Sequence, residues 1–235
     1  MIKSIRQLLG GAALVCAALL PPAHAGSVST VIDFEGDALV GSYFPGDPFF
    51  GSFKQSGFVM APDIDFGTVD TVIGFDPLVA PTGNSTQFYF NSNDGGLMLA
   101  REDGRRFNLD GFSAAFVPQL GAAQNIVIVA YGWFADATQG GMYFGLGDTI
   151  NGATHPFDLY NNPADFSNFT DLLQLEFFAC VLDTAVCGTA SRNNAQFALD
   201  DIELSTVPEP TTGALMALGL LGLLGLGRRN RRHTI

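Results

Sequence analysis

Residues 125–134 read Asn-Ile-Val-Ile-Val-Ala-Tyr-Gly-Trp-Phe, and this run decides the fold class. It is rich in β-branched and aromatic residues and short enough for a strand. Both alternate sets are apolar: Ile126, Ile128 and Ala130 on one side, Val127, Val129 and Tyr131 on the other. A strand that is greasy on both faces belongs inside a sheet, so the run predicts a central strand. Upstream, residues 106–117 alternate through Phe107 and Leu109, slip at Gly111 and resume at Phe112, Ala114 and Phe116. A β-bulge at Gly111 accounts for the slip.

Further strands follow by the same pattern at 30–34, 57–60, 87–90, 96–100, 141–146, 172–178 and 195–205, while no stretch of ten residues between Gly26 and Thr206 keeps a helical period. Nine short strands predict an all-β fold, a β-sandwich, occupying residues 26–206. Asp103-Gly104 and Asn93-Asp94-Gly95-Gly96 carry hairpin chemistry. The segment after Pro62, with Asp63, Asp65 and Asp70, reads as an irregular acidic loop. No internal repeat and no linker divides the body.

The chain of 235 residues is 47% apolar and only 14% charged, which supplies a core and argues against disorder. All but one of its 23 acidic residues lie between Gly26 and Val207, against five of the 11 basic ones, Lys54, Arg101, Arg105, Arg106 and Arg192. The body charge of about −17 excludes a nucleic-acid binder, which must neutralise phosphates.

The two ends set the address. Lys3 and Arg6 precede an apolar run from Leu8 to Leu20, two prolines and Ala23-His24-Ala25, a small-x-small site for signal peptidase. Residues 1–25 are expected to be a cleaved signal peptide. Thr211 to Gly227 is uncharged and rich in Leu, Gly and Ala, and Arg228, Arg229, Arg231 and Arg232 follow. As a helix, 211–227 would be roughly 25 Å long, at the lower limit for a bilayer span. The arginines belong inside, which leaves the body outside the cytoplasm, on the side the signal peptide chose.

Before this segment stands Val207-Pro208-Glu209-Pro210. Pro208, Glu209, Pro210, the short helix and the terminal arginines together, 207–232, resemble the PEP-CTERM sorting signal. That resemblance implies recognition and removal of the tail by a membrane transpeptidase of the exosortase type in an exopolysaccharide-producing Gram-negative bacterium. Gln196-Phe197-Ala198-Leu199-Asp200, lying between a cysteine pair and the sorting signal, resembles the QFxxD subfamily of such proteins. The implied route is an inner-membrane-anchored precursor with its body in the periplasm, then the cell surface or extracellular matrix.

Cys16 leaves with the signal peptide, so Cys180 and Cys187 remain as an even pair in an oxidising compartment. A disulfide there would close a short loop and contribute roughly 2 to 3 kcal/mol. Asp33 and Glu35 share a face of the first strand, with Phe34 inward, while Asp200 points out from the last strand beside Asp201. If those strands are neighbours, hard oxygen ligands can converge and suit a structural calcium; the competing reading is a solvated acidic edge that deters aggregation. The pattern is similar to that of jelly-roll carbohydrate-binding modules, which implies a jelly-roll-like topology and calcium at that corner.

Trp133, Tyr131, Tyr43, Tyr89 and Tyr143 are the amphipathic aromatics that can stack on sugar rings, with Trp133 expected to be buried. Catalysis finds little support. His155 is the body's one histidine, and there is no Gly-x-Ser-x-Gly elbow, zinc helix or phosphate loop. The expected function is therefore a non-catalytic surface or exopolysaccharide-associated protein that binds carbohydrate or matrix. The alternatives are a polysaccharide-active enzyme using acids such as Asp63, Asp65 or Glu35, and a permanently tethered structural membrane protein.

Overall fold

The computed structural model describes residues 27–71, 81–91, 95–117, 126–146, 156–183, 186–188 and 195–207, with only the backbone described at 182, 183 and 186–188. The expected signal peptide, the Pro-Glu-Pro segment, the 211–227 helix and His155 lie outside these residues. Among the described residues, no helix is long and apolar enough to cross a membrane.

The described body folds as one continuous antiparallel sheet bent into two facing layers, the all-β sandwich expected. The first layer runs β2 (Gly41–Tyr43), β5 (Gly67–Asp70), β6 (Phe88–Asn91), β14 (Phe197–Thr206) and β8 (Phe107–Phe116), with β1 (Ser29–Ile32) beside β14 and β11 (Asp158–Tyr160) beside β8. The second runs β3 (Phe53–Gln55), β4 (Phe58–Asp63), β7 (Gly96–Arg101), β12 (Leu172–Asp183), β9 (Ile126–Phe134) and β10 (Gln139–Gly145), with β13 (Val186–Gly188) folded back on β12. The layers join where Leu172 pairs with Phe107. A four-residue helix, α1 (Pro163–Phe166), is capped by the Asn162 side chain and inserts Phe166 into the core.

Each expected strand is found, and β9 is paired on both edges, by β10 and β12. Its inner set, Ile126, Ile128 and Ala130, joins the main core, while Val127 and Val129 form a smaller outer cluster with Cys180. Phe112 is the hub between layers, its ring 5.0 Å from both Phe144 and Phe177 and 5.1 Å from Tyr160. The slip at Gly111 is real: Glu203 pairs with Gly111 and Leu204 with Leu109, so Asp110 is the extra residue on β8. A compensating irregularity on β14 lies between Asp200 and Glu203, where Asp201 takes φ +46°.

Three expectations need correction. The Asp103-Gly104 turn closes, with Gly104 N–H donating to the Arg101 carbonyl at 3.2 Å, but β7 and β8 belong to different layers and do not pair. Gly95-Gly96 likewise connects layers rather than closing a hairpin. A tight turn reverses the chain; whether the strands then pair is decided by where their inward residues find a core. Ser56-Gly57, both at positive φ, does close a tight hairpin, between Gln55 and Phe58. Asp63 and Asp70 are not in an irregular loop: Asp63 ends β4, paired with β7, and Asp70 ends β5, paired with β6.

Candidate functional site

The outward face of the second layer is assembled by register. Tyr143 on β10 pairs with Val129 on β9, Val129 with Phe178 on β12, Phe178 with Gly96 on β7, and Gly96 with Asp63 on β4. The adjacent row runs Gly141, Tyr131, Glu176, Met98 and Ala61 over the same five strands. Trp133 sits in a third row, between Gln139 and Gln174. Because side chains alternate across a strand, all of these project from one face.

Trp133 is half-buried on this outer face, not inside as expected. Gly132, its neighbour, takes the inward position. A Cβ there would lie 2.5 Å from Leu172 Cδ2, so the core has no room at that point and the large indole is set by alternation to the outside. The Tyr131 and Trp133 rings meet edge to face with centroids 5.1 Å apart, and Tyr131 Oη donates to Gln139 Oε1 at 3.0 Å. Tyr143, 57% exposed, extends the aromatic surface. Tyr43 and Tyr89, by contrast, are core residues stacked around Phe53 and unavailable to a ligand.

Between the aromatics and β4 lies a carboxyl pair. Glu176 is hydrogen-bonded to Asp63; burial first, then that hydrogen bond and the Asp63 charge, push its carboxyl up to about 7. Gly96 makes the approach possible, since a Cβ on it would lie 3.2 Å from Glu176 Oε1 and 2.8 Å from the Phe177 carbonyl. The two carboxyls are close enough that the Asp63 charge disfavours ionisation of Glu176. They are also too close to serve as the spaced pair of a glycoside hydrolase, which needs roughly 5 Å or more between carboxyl groups. Glu176 was passed over in the sequence. Its alternation with Leu175 and Phe177 puts it outside the core, but nothing local indicates that β4 delivers Asp63 alongside.

The acidic corner expected to hold calcium divides. β1 and β14 do pair, with Ile32 opposite Ile202. Asp33 Oδ1 accepts from Gln55 Nε2 at 2.6 Å, Glu35 Oε1 accepts from the Gln87 N–H at 2.8 Å, and the charges of Asp33 and Glu35, after burial, raise the Asp201 carboxyl. Asp200 leaves the set. It does project from the face opposite Leu199, but residues 84–86 cover it: Asn84 Nδ2 donates to its Oδ2 at 2.5 Å, Thr86 Oγ1 at 3.3 Å, and it is only 3% exposed. Among the described residues, no group of three or more His, Cys, Asp or Glu side chains is arranged to hold a metal ion. The side chains as placed thus do not fit the expected calcium cage, and the function below is derived without it.

Cys180 is buried on the outer face of β12 and β13 folds back with Cys187 opposite Leu182, but the Cys187 side chain lies outside the described residues. A cleft of about 670 Å³ opens elsewhere, at the β9–β10 turn, lined by Phe134, Met142, Phe169 and an Arg106–Asp171 ion pair at 3.3 Å; it includes none of the residues singled out in the sequence.

No curated protein matches the chain. Among solved structures, it is similar to a DUF4465 family protein from Bacteroides caccae, with 15% identity, 77% of this chain and 100% of that one covered, and a TM-score of 0.49. It is similar, more distantly, to the C-terminal family 22 carbohydrate-binding module of Clostridium thermocellum Xyn10B, at 12% identity, 80% and 98% coverage and a TM-score of 0.34. A family 11 carbohydrate-binding module from Clostridium thermocellum, in complex with a β-1,3-1,4-mixed-linked tetrasaccharide, gives 14% identity, 77% and 96% coverage and a TM-score of 0.33. Residues 206–232 match the PEP-CTERM protein-sorting motif, and the chain therefore carries the signal of a protein exported, processed at the membrane by an exosortase and attached at the cell surface.

Proposed function

We propose that the body is a non-catalytic module that binds polysaccharide or matrix through the outward face of the second layer, displayed outside the cell after its tail is processed. The observation that carries this is the partly exposed Tyr131–Trp133 pair on the outward face, extended by Tyr143 on the neighbouring strand β10. Aromatic faces held rigidly by a sheet stack on the apolar faces of sugar rings with little loss of side-chain entropy. The Gln196–Asp200 segment supports placing the chain in the QFxxD type of sorted proteins, and a Cys180–Cys187 bridge, steadying the β12–β13 hairpin, belongs to the same proposal. The body would pass through the periplasm after signal peptidase cleavage, and the exosortase would act at the Pro208-Glu209-Pro210 segment.

The test is retention of the full chain, in mild detergent, on polysaccharide extracted from the producing cell. Wild type is expected to be retained without release of reducing ends. Trp133→Ala combined with Tyr131→Ala is expected to weaken retention at least about tenfold, the loss of one to two stacking contacts, with the melting temperature little changed. Equal retention by the double variant removes the site; release of reducing ends by wild type replaces the reading with an enzyme.

A further inference from the structure

Glu176 lies directly across from Tyr131 on one side and Met98 on the other, in the middle of the outward face. Its carboxyl reaches over Gly96, where no side chain intervenes, to Asp63. Such a pair is incomplete without a positive partner: Glu176 holds its proton beside the Asp63 charge, and no cation offsets that charge. No basic side chain supplies it among the described residues. Lys54, on the far edge strand of this layer, is engaged by Glu102 at 3.3 Å, and Arg101 by Asp103 at 2.6 Å.

The aromatic half of the face narrows the chemistry. A cation set beside Tyr131 and Trp133 gains from the negative ring faces, while a sugar ring carrying it stacks on them. The body charge of about −17 attracts cationic polymers and repels uronate-rich ones. We infer that the ligand of this face is a cationic amino-sugar polymer, one ammonium of which is held between the Asp63–Glu176 carboxyl pair and the Tyr131 ring. This rests on the glycan-binding reading above and names its ligand class.

Binding has a defined proton balance. The ammonium brings its own positive charge and three N–H donors, so the proton on Glu176 is no longer needed and leaves to solvent. With the Glu176 carboxyl at about 7, that proton is present before binding at pH 6. By register the titratable groups on the strands beside the pair are Tyr131 from β9 and, one row away, Tyr143 from β10, while β7 contributes only Met98 and Gly96.

The experiment is calorimetry of the full chain in mild detergent at pH 6, where the amine is charged, with three probes of equal length. These are a β-1,4-linked glucosamine hexasaccharide, its N-acetylated counterpart and cellohexaose. The glucosamine oligomer is expected to bind about tenfold or more tighter than either neutral probe, as a charge-assisted contact should. Its heat should change between buffers of different ionisation enthalpy, reporting proton release. Glu176→Gln is expected to erase both the preference for the glucosamine oligomer over the neutral probes and the proton release, and Asp63→Asn serves as the second variant should that one fold poorly. Equal binding of all three probes by wild type, or an unchanged preference in both variants, overturns the amino-sugar assignment and leaves glycan binding standing. Binding of none of the three overturns the amino-sugar assignment, while the glycan-binding reading is decided separately by retention on the producing cell's own polysaccharide.

Discussion

Asp200 ends the Gln196–Asp200 segment and shows how far one residue's environment is set by distant chain. Alternation sends it away from Leu199, as the sequence indicates, and exposure would be the simple consequence. Instead Asn84 and Thr86 close over it, and burial raises its carboxyl to about 7 despite the hydrogen bonds from Asn84, Thr86 and the Asp201 N–H, which act the other way. A carboxyl whose folded pKa lies above its unfolded value favours the native state at low pH, and that contribution is lost as pH rises through the folded value. Glu176 and Asp201 are raised as well and act in the same direction. Thermal melts are therefore expected to show the chain more stable at pH 5 than at pH 8, and Asp200→Asn is expected to flatten that slope; a slope identical to wild type would place the effect elsewhere. Below pH 4 the exposed Asp47 and Asp136, held low by N–H and O–H donors from their own turns, pull the other way. Since Asp33, Glu35 and Asp201 do not form a metal cage with Asp200, melting in millimolar calcium and in EDTA is expected to coincide.

At the scale of elements, β8 and β14 carry the fold through their irregularities as much as through their ladders. The extra residue at Asp110 and the bend at Asp201 each shift the alternation by one, and the two cancel, so that Phe107, Leu109, Phe112, Ala114 and Phe116 all face the core. Phe112 stands where both layers converge, against Phe144, Phe166 and Phe177. Phe112→Ala is expected to cost about 3–5 kcal/mol in denaturant melts, the range for a large aromatic lost from a packed core. A loss under about 1 kcal/mol would mean that the layers collapse into the gap. The bulge was legible because Gly111 interrupts a regular pattern. The strands β2, β3, β5, β11 and β13 were not, since three or four residues are too few for a period to declare itself, and their pairing depends on the neighbours that reach them.

For the whole molecule, the sorting motif and the strand body answer different questions. The motif at 206–232 sets the destination through covalent order alone: a Pro-Glu-Pro segment, an apolar stretch and arginines, in that sequence. Removal of the tail near Pro208-Glu209-Pro210 predicts that the surface-released form lacks about 25 C-terminal residues by intact mass; a full-length mass would instead support permanent tethering. The sequence by itself determined the all-β class, the doubly covered strand at 126–134, the bulge at Gly111 and the sorting signal, because each is written in near neighbours along the chain. Only the tertiary structure decided that Asp103-Gly104 joins two layers, that Asp200 is roofed over, and that Glu176 meets Asp63 beside Tyr131 and Trp133. Those outcomes depend on which strands become neighbours, and contacts between residues more than a hundred positions apart are fixed by the packing of two sheets on one core, a property that no local pattern contains.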